Sequence, residues 1–282
     1  MNDDRAKQQR ENQMRDELIQ DELSGEEIKY DDYIAGLAKG LSILEAFGSD
    51  RQRLNVTQTA ERTGLTRTAA RRYLKTLKFL GYLDTDDYYY WLTHKVLKFS
   101  GAYLHTAHLP KIAQPVLNIL AAKTSLVFSV VVLDHHELVP VARSISPQHE
   151  EFRVSPFGIH LGNRIPVHTA STGKVLLSQR SIEEQKQWLE HYELRRFTHY
   201  TMTEQEVFLQ ELQKIRAQAY CISSEEYELG VVAVAVPIIN QKGELIAAMN
   251  AVASVNKVND FYLVNTIVPM LRQAAKEIRD MI

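Results

Sequence analysis

The sequence predicts an α+β protein with a small helical unit closed by a hairpin, a connecting helix, and a second unit whose helices flank a largely antiparallel sheet. Three observations predict it. Apolar residues recur at helical spacing from Ile34 to Leu80, with Gly81 as a stop. Two β-rich runs, "SLVFSVVVLDHHELVPVARS" and "VVAVAVPIINQKGELIAAMNAVAS", each fold about a polar turn. Amphipathic segments follow both runs. The 282 residues are 45% hydrophobic, which is enough apolar chain for two cores, and the net charge of −2 predicts no uniformly basic or acidic surface.

The first 33 residues are acid-rich and poor in apolar side chains, which predicts a solvated arm or a frayed helix. Residues 34–94 form the helical unit. "IAGLAKGLSILEAF" places Leu37, Leu41, Leu44 and Phe47 on one face; "NVTQTAERTGL" supplies Thr57 as a cap, a short second helix packing through Ala60 and a turn at Gly64; a third helix begins near Thr66 or Arg67 and runs to about Leu80. "YLDTDDYYYWLTH" then reads as a hairpin, so the order is that of a winged helix-turn-helix. Residues 95–109 are a connector helix ended by Pro110, and 110–282 form the second unit. In that unit the strands turn at Asp134 to Glu137 and at Asn240 to Gly243. Helices are expected at Ser171, at Ser181 to Glu190, at Thr203 to Ala219 and from Asn259.

The third helix gathers Arg67, Arg71, Arg72, Lys75 and Lys78, and no acid occurs between Arg62 and Leu83. At 100° per residue, Arg67, Arg71, Lys75 and Lys78 fall within about 80° of one another, opposite an apolar face of Ala70, Tyr73, Leu74, Leu77 and Leu80. Such a face is either solvated or aimed at DNA. Arginine in the first turns, where a recognition helix meets base edges, and the small Thr66, Thr68 and Ala69 beside it favour double-stranded DNA. Arg72, Lys75 and Lys78 suit phosphate. Tyr88 to Tyr90 offer a wing contact or, by strand alternation, core.

"HTASTGKVLL" lacks the first glycine and the hydroxyl after lysine that a phosphate-binding loop needs. It predicts instead a helix start whose amides at Ser171, Thr172 and Gly173 either are ordinarily capped or hold a small anion. The histidines (His135, His136, His160, His168) have no ligand-like spacing, so no metal and no other cofactor is expected. Lone Cys221 lies in an apolar context, no nucleophile motif is present, and no enzyme activity is expected. No run is long enough to span a bilayer, which predicts a cytoplasmic protein. Asn250 interrupts an apolar strand and needs partners, a ligand among them.

From about Asp32 onward the chain resembles the IclR family of bacterial transcription regulators, through "TGLTRTAARRYLKTLKFLGYL", "HLGNRIPVHTASTGKVLL" and "SSEEYELGVVAVAVPI". Within the family it looks most like the PcaU, PobR and PcaR group, and within that group the protocatechuate-responsive branch of PcaU. The resemblance implies a GAF-like effector domain that binds a small aromatic acid, first protocatechuate and alternatively 4-hydroxybenzoate, in a homodimer or dimer of dimers that acts with RNA polymerase at activated promoters. It implies that the backbone at Ser171 and Thr172 holds the carboxylate and that Ser223, Ala233, Asn250 and Val252 line the remaining pocket. Arg143, His160 and Arg164 are further polar candidates, with structural ion pairing as the alternative for each.

Overall fold

Capping chemistry sets the helix ends of the first unit. In the computed structural model, which describes residues 18–20, 27–48, 51–144 and 160–282, the chain divides into two compact units, Met1–Ala102 and Tyr103–Ile282. Most of the arm lies outside the described residues; what is described of it pairs β1 (Leu18–Gln20) antiparallel with β2 (Glu27–Lys29), followed by a 3-10 turn at Tyr30–Asp32, so a frayed helix is not what forms there. Helix α1 (Ala35–Glu45) comes next. Helix α2 (Val56–Thr63) opens on a capping box, in which Asn55 and Gln58 satisfy each other's amides, so the cap is Asn55 and the expected Thr57 lies inside the first turn. It ends at Gly64, whose φ of +65° makes the tight turn into α3 (Arg67–Phe79). Thr66 caps α3 by accepting from the Ala69 amide, and the Lys95 ammonium reaches the Leu80 carbonyl at its other end. Strands β3 (Leu83–Thr85) and β4 (Tyr90–Leu92) form the hairpin.

Ile43, Phe47, Leu54, Leu74, Leu77, Leu83 and Tyr90 make the core of this unit. The expected docking face of α1 is only partly right: Phe47 is buried and Leu44 packs against the core, but Leu37 and Leu41 are exposed and Ile43 is fully buried in their place. The helix is apolar on two sides, and spacing alone does not choose between them. On α3, Ala70, Leu74 and Leu77 are buried as expected, while Leu80 is exposed.

The connector differs from the expected form. A 3-10 turn, His94–Val96, leads into α4 (Leu97–Thr106), and after Ala107 a further helix, α5 (His108–Thr124), begins at once. Pro110 does not end a helix. It sits in the first turn of α5, where its missing N–H would have had no intrahelical partner.

In the second unit six strands form one antiparallel sheet in the order β7-β6-β5-β10-β9-β8: β5 (Val127–Asp134), β6 (Glu137–Arg143), β7 (Ile165–Pro166), β8 (Cys221–Ser224), β9 (Val231–Ile239) and β10 (Leu245–Ser254). Side chains alternate between its faces. Phe128, Val130, Val234, Met249 and Ala251 pack under α5 and the C-terminal helix α9 (Val268–Met281). Val131, Cys221, Ala235 and Ala248 pack under α6 (Ser171–Ser178), α7 (Ile182–Glu190) and α8 (Gln205–Gln218). Covering both faces explains the unbroken apolar runs of β9 and β10.

All eight residues of α6 are buried, so it lies between the sheet and the outer helices. Gly173 permits that position, because a Cβ there would land on the backbone carbonyl of Val167. Gly173→Ala is expected to destabilise the chain by about 1 to 3 kcal/mol or more through overpacking, read as a lower urea midpoint with an unchanged slope.

Candidate effector cleft and nucleic-acid interface

Where the sheet meets the start of α6, a narrow cleft with a cavity volume of about 70 Å³ opens. Strand register assembles its floor. Ser223 pairs with Ala233 and Ala233 with Val252, while Ser129 and Ala235 flank Asn250 on its two sides. Residues directly opposite share a face, so these side chains point the same way. Ser171 and Thr172 line the cleft from α6, Ile165 and Pro140 add apolar wall, and Tyr227 and Glu226 come from the loop after β8.

Helix α6 has no side-chain cap, since its N-cap residue is Ala170. Its first-turn amides and positive dipole end therefore favour a negative group nearby. Among the described residues five buried side-chain polar atoms lack a hydrogen-bond partner, and three belong to the cleft: Ser171 Oγ, Asn250 Oδ1 and Glu226 Oε2. Their residues are 1%, 7% and 9% exposed, so solvent does not satisfy them. Each such atom costs about 1 to 3 kcal/mol. Three converging on one cleft mark a place where a polar ligand completes the bonding.

Glu226 is held firmly. Its Oε1 meets the Lys174 ammonium at 2.5 Å and lies 3.1 Å from Ser223 Oγ, a hydroxyl that also lies 2.9 Å from the Thr169 carbonyl. Thr201 Oγ1 donates to the Glu226 carbonyl and Thr198 Oγ1 to that of Glu225, while the Glu225 side chain accepts from the Gly230 amide. Glu225 is thus cap-like. Glu226, beside it in the same acidic run, is buried and ion-paired.

Ser171, Thr172, Ser223, Ala233, Asn250 and Val252 therefore come together in one cleft. Gly173, Arg143, His160 and Arg164 do not join them. Gly173 is pressed against Val167. Arg164 pairs with Asp134 and Glu137 at the first hairpin turn, the structural alternative, and His160 is exposed. Arg143 stands opposite Ser129 on β6 but is not part of the lining; burial lowers its pKa. Sequence reasoning missed Glu226 and Ser129. A lysine inside the apolar "TGKVLL" helix was the available signal for Glu226, because a buried ammonium requires a carboxylate.

In the first unit Arg67, Arg71, Arg72, Lys75 and Lys78 are all exposed, and among the described residues none has a side-chain ion pair or hydrogen bond. Thr68 is exposed beside them, whereas Thr66 uses its hydroxyl in the cap. Tyr90 is core and Tyr88 is exposed. The hairpin tip is acidic: Asp86 accepts from the Tyr89 and Tyr88 amides, which with Arg53 keep its carboxyl below the usual range. Positive charge belongs to the helix and not to the wing.

Two family models match the chain: the IclR helix-turn-helix domain over residues 36–87 and the C-terminal part of the bacterial transcriptional regulator IclR over residues 101–280. The chain belongs to the IclR family. Among its relatives is the p-hydroxybenzoate hydroxylase transcriptional activator of Acinetobacter baylyi, 61% identical over 91% of this chain and 95% of that protein. The Pca operon regulatory protein of the same species is 49% identical over 90% and 91%. Among solved structures, the inducer-binding domain of a PobR double mutant from Acinetobacter, in complex with 3-hydroxybenzoic acid, matches with TM-score 0.60 at 53% identity, covering 62% of this chain and all of that one.

These IclR relatives are transcriptional regulators. Burial pushes the Cys221 thiol up to about 12, so it stays protonated at neutral pH. His168 is buried between the Tyr192 hydroxyl and the Arg195 carbonyl, and desolvation lowers its pKa. Among the described residues no group of His, Cys, Asp and Glu is arranged to hold a metal, and no helix is long and apolar enough to cross a membrane. Lys174→Met, which strands the Glu226 carboxylate, is expected to cost about 3 to 5 kcal/mol in denaturant unfolding, and adding Glu226→Gln is expected to restore most of it.

Proposed function

We propose that this IclR-family chain is a DNA-binding transcriptional regulator of aromatic-acid catabolism whose effector is 4-hydroxybenzoate. The observation that carries the reading is the convergence of Ser171 Oγ, Asn250 Oδ1 and Glu226 Oε2, all unpartnered, in a partly apolar cleft at an uncapped helix start. A flat ring fits the apolar walls, and its carboxylate suits the α6 amides. The higher identity to the p-hydroxybenzoate hydroxylase activator than to the Pca operon regulator moves the effector from protocatechuate, the first expectation, to 4-hydroxybenzoate. The same relative favours activation when the acid is bound, with RNA polymerase at the activated promoter.

Arg67 and Arg71 are assigned to base edges, and Arg72, Lys75 and Lys78 to phosphates, with Thr66 and Thr68 allowing close approach. One helix reads too few base pairs for useful selectivity, so the reading includes a homodimer or dimer of dimers on a two-fold operator. Regulation then requires that the acid bind one arrangement of the DNA-binding units better than another.

Ten heavy atoms at roughly 0.5 kcal/mol each give about 5 kcal/mol, an affinity on the order of a hundred micromolar. Calorimetric titration of the full chain is expected to show saturable binding of 4-hydroxybenzoate, recovered chemically unchanged, at least about tenfold tighter than protocatechuate; equal binding of the two returns the effector to the broader class. Arg67→Ala or Arg71→Ala is expected to weaken binding to an operator selected from random duplexes by about 1 to 3 kcal/mol, with little loss on unselected DNA. Equal loss on both DNAs would make these arginines phosphate contacts.

A further inference from the structure

We infer that Glu226 is the residue that recognises the ring hydroxyl of the effector, through an acceptor oxygen that the buried Lys174 holds in the cleft wall. The inference rests on the proposed function and deepens it. Glu226 offers two oxygens with different surroundings. Oε1 is taken by the Lys174 ammonium and lies against Ser223 Oγ, whereas Oε2 is buried and has no donor among the described residues. A carboxylate oxygen in that state can only accept. It therefore selects for a ligand that brings an O–H or N–H to it.

The ligand's own carboxylate is not that group. It carries no proton at neutral pH, and beside Glu226 two like charges would meet. The α6 start supplies amide donors and the Ser171 hydroxyl for the negative end of the ligand, while Glu226 supplies an acceptor for a neutral donor. The cleft is polar in two opposite senses. A hydroxybenzoate matches both, whereas benzoate matches only one and leaves Oε2 unpaired. Sites that hydrogen-bond a hydroxyl discriminate strongly against analogues lacking it, because the buried partner then stays unsatisfied.

Two features keep Oε2 in place. The Thr201 and Thr198 hydroxyls fasten the Glu225 and Glu226 backbone, and the Lys174 contact fixes the carboxylate. Asn250 Oδ1 is the rival acceptor, also unpartnered and also in the lining. Glu226 is favoured because its charge makes the stronger hydrogen bond.

Titration of the full-length chain with 4-hydroxybenzoate, 4-aminobenzoate, 4-fluorobenzoate and benzoate tests this. The first two carry a donor at the ring position and are expected to bind at least about tenfold tighter than the last two. In Glu226→Gln, Lys174 keeps the amide oxygen and turns Nε2 toward the ligand. 4-Aminobenzoate is then expected to fall to the level of 4-fluorobenzoate, while benzoate changes by less than about threefold. Asn250→Val is expected to keep the donor preference, and it tests the assignment if Glu226→Gln does not fold. Equal binding of 4-hydroxybenzoate and 4-fluorobenzoate to the unaltered chain overturns the inference and leaves the proposed effector class standing. A donor preference lost in Asn250→Val, or retained by 4-aminobenzoate in Glu226→Gln, overturns the assignment to Glu226. Failure of every benzoate to bind overturns the proposed function itself.

Discussion

Lys174 sends its ammonium into a space closed by a sheet and three helices, and the Glu226 carboxylate meets it there at 2.5 Å. Neither charge is tolerable alone at that depth. The pair therefore ties the first turns of α6 to the loop after β8, two segments that both line the cleft, through residues 52 apart in the chain. Gly173 lets α6 lie against the Val167 backbone, and Thr198 and Thr201 hold the loop that carries Glu226. The cleft exists because a polar tether crosses an apolar interface.

How much of this was legible follows from the range over which each signal acts. Local chemistry was readable in part: the Gly64 turn, the hairpin turns and the start of α6 all depend on a few neighbouring residues, whereas the cap of α2 was placed on Thr57 and is Asn55. The floor of the cleft was reached through family resemblance, and strand register explains why Ser223, Ala233, Asn250 and Val252 share a face. Long-range pairing was not readable. Glu226 in "SSEEYELG" has the composition of a solvated loop, and nothing within ten residues shows that a buried lysine stands opposite. Helix α5 was missed for the reverse reason, since Pro110 and Pro115 look like breakers although the first occupies a helix start, where proline is tolerated. On α1 the periodicity was real, yet with apolar residues on two sides it did not decide which side would be buried.

The distribution of charge follows the same division of labour. The basic residues of α3 are exposed and unpaired, whereas nearby Asp86 is neutralised by backbone amides and Arg53. An acidic wing tip held in this way competes less with phosphate than free carboxylates would. Exposed positive charge in this unit is thus concentrated on α3 in a chain that is nearly neutral in sum, an arrangement that would keep salt-dependent attraction on the face proposed for DNA.

A binding site that leaves three polar atoms unpaired when empty is poor for stability and good for sensing. A ligand that satisfies some of them gains the bonds it makes and removes a penalty already present, so its effect on the protein exceeds what its small apolar area would supply. That effect becomes regulation only if the unpaired state and the satisfied state differ in shape. The position of the atoms favours such a difference: Ser171 belongs to α6 and Glu226 to the loop after β8, so one small molecule with its carboxylate at the first and its hydroxyl at the second would link two separate elements. An enzyme places its polar groups to meet a changing bond. In the proposed sensing role they meet the two ends of an unreactive ring, and the binding energy is available to favour one arrangement of the protein over another.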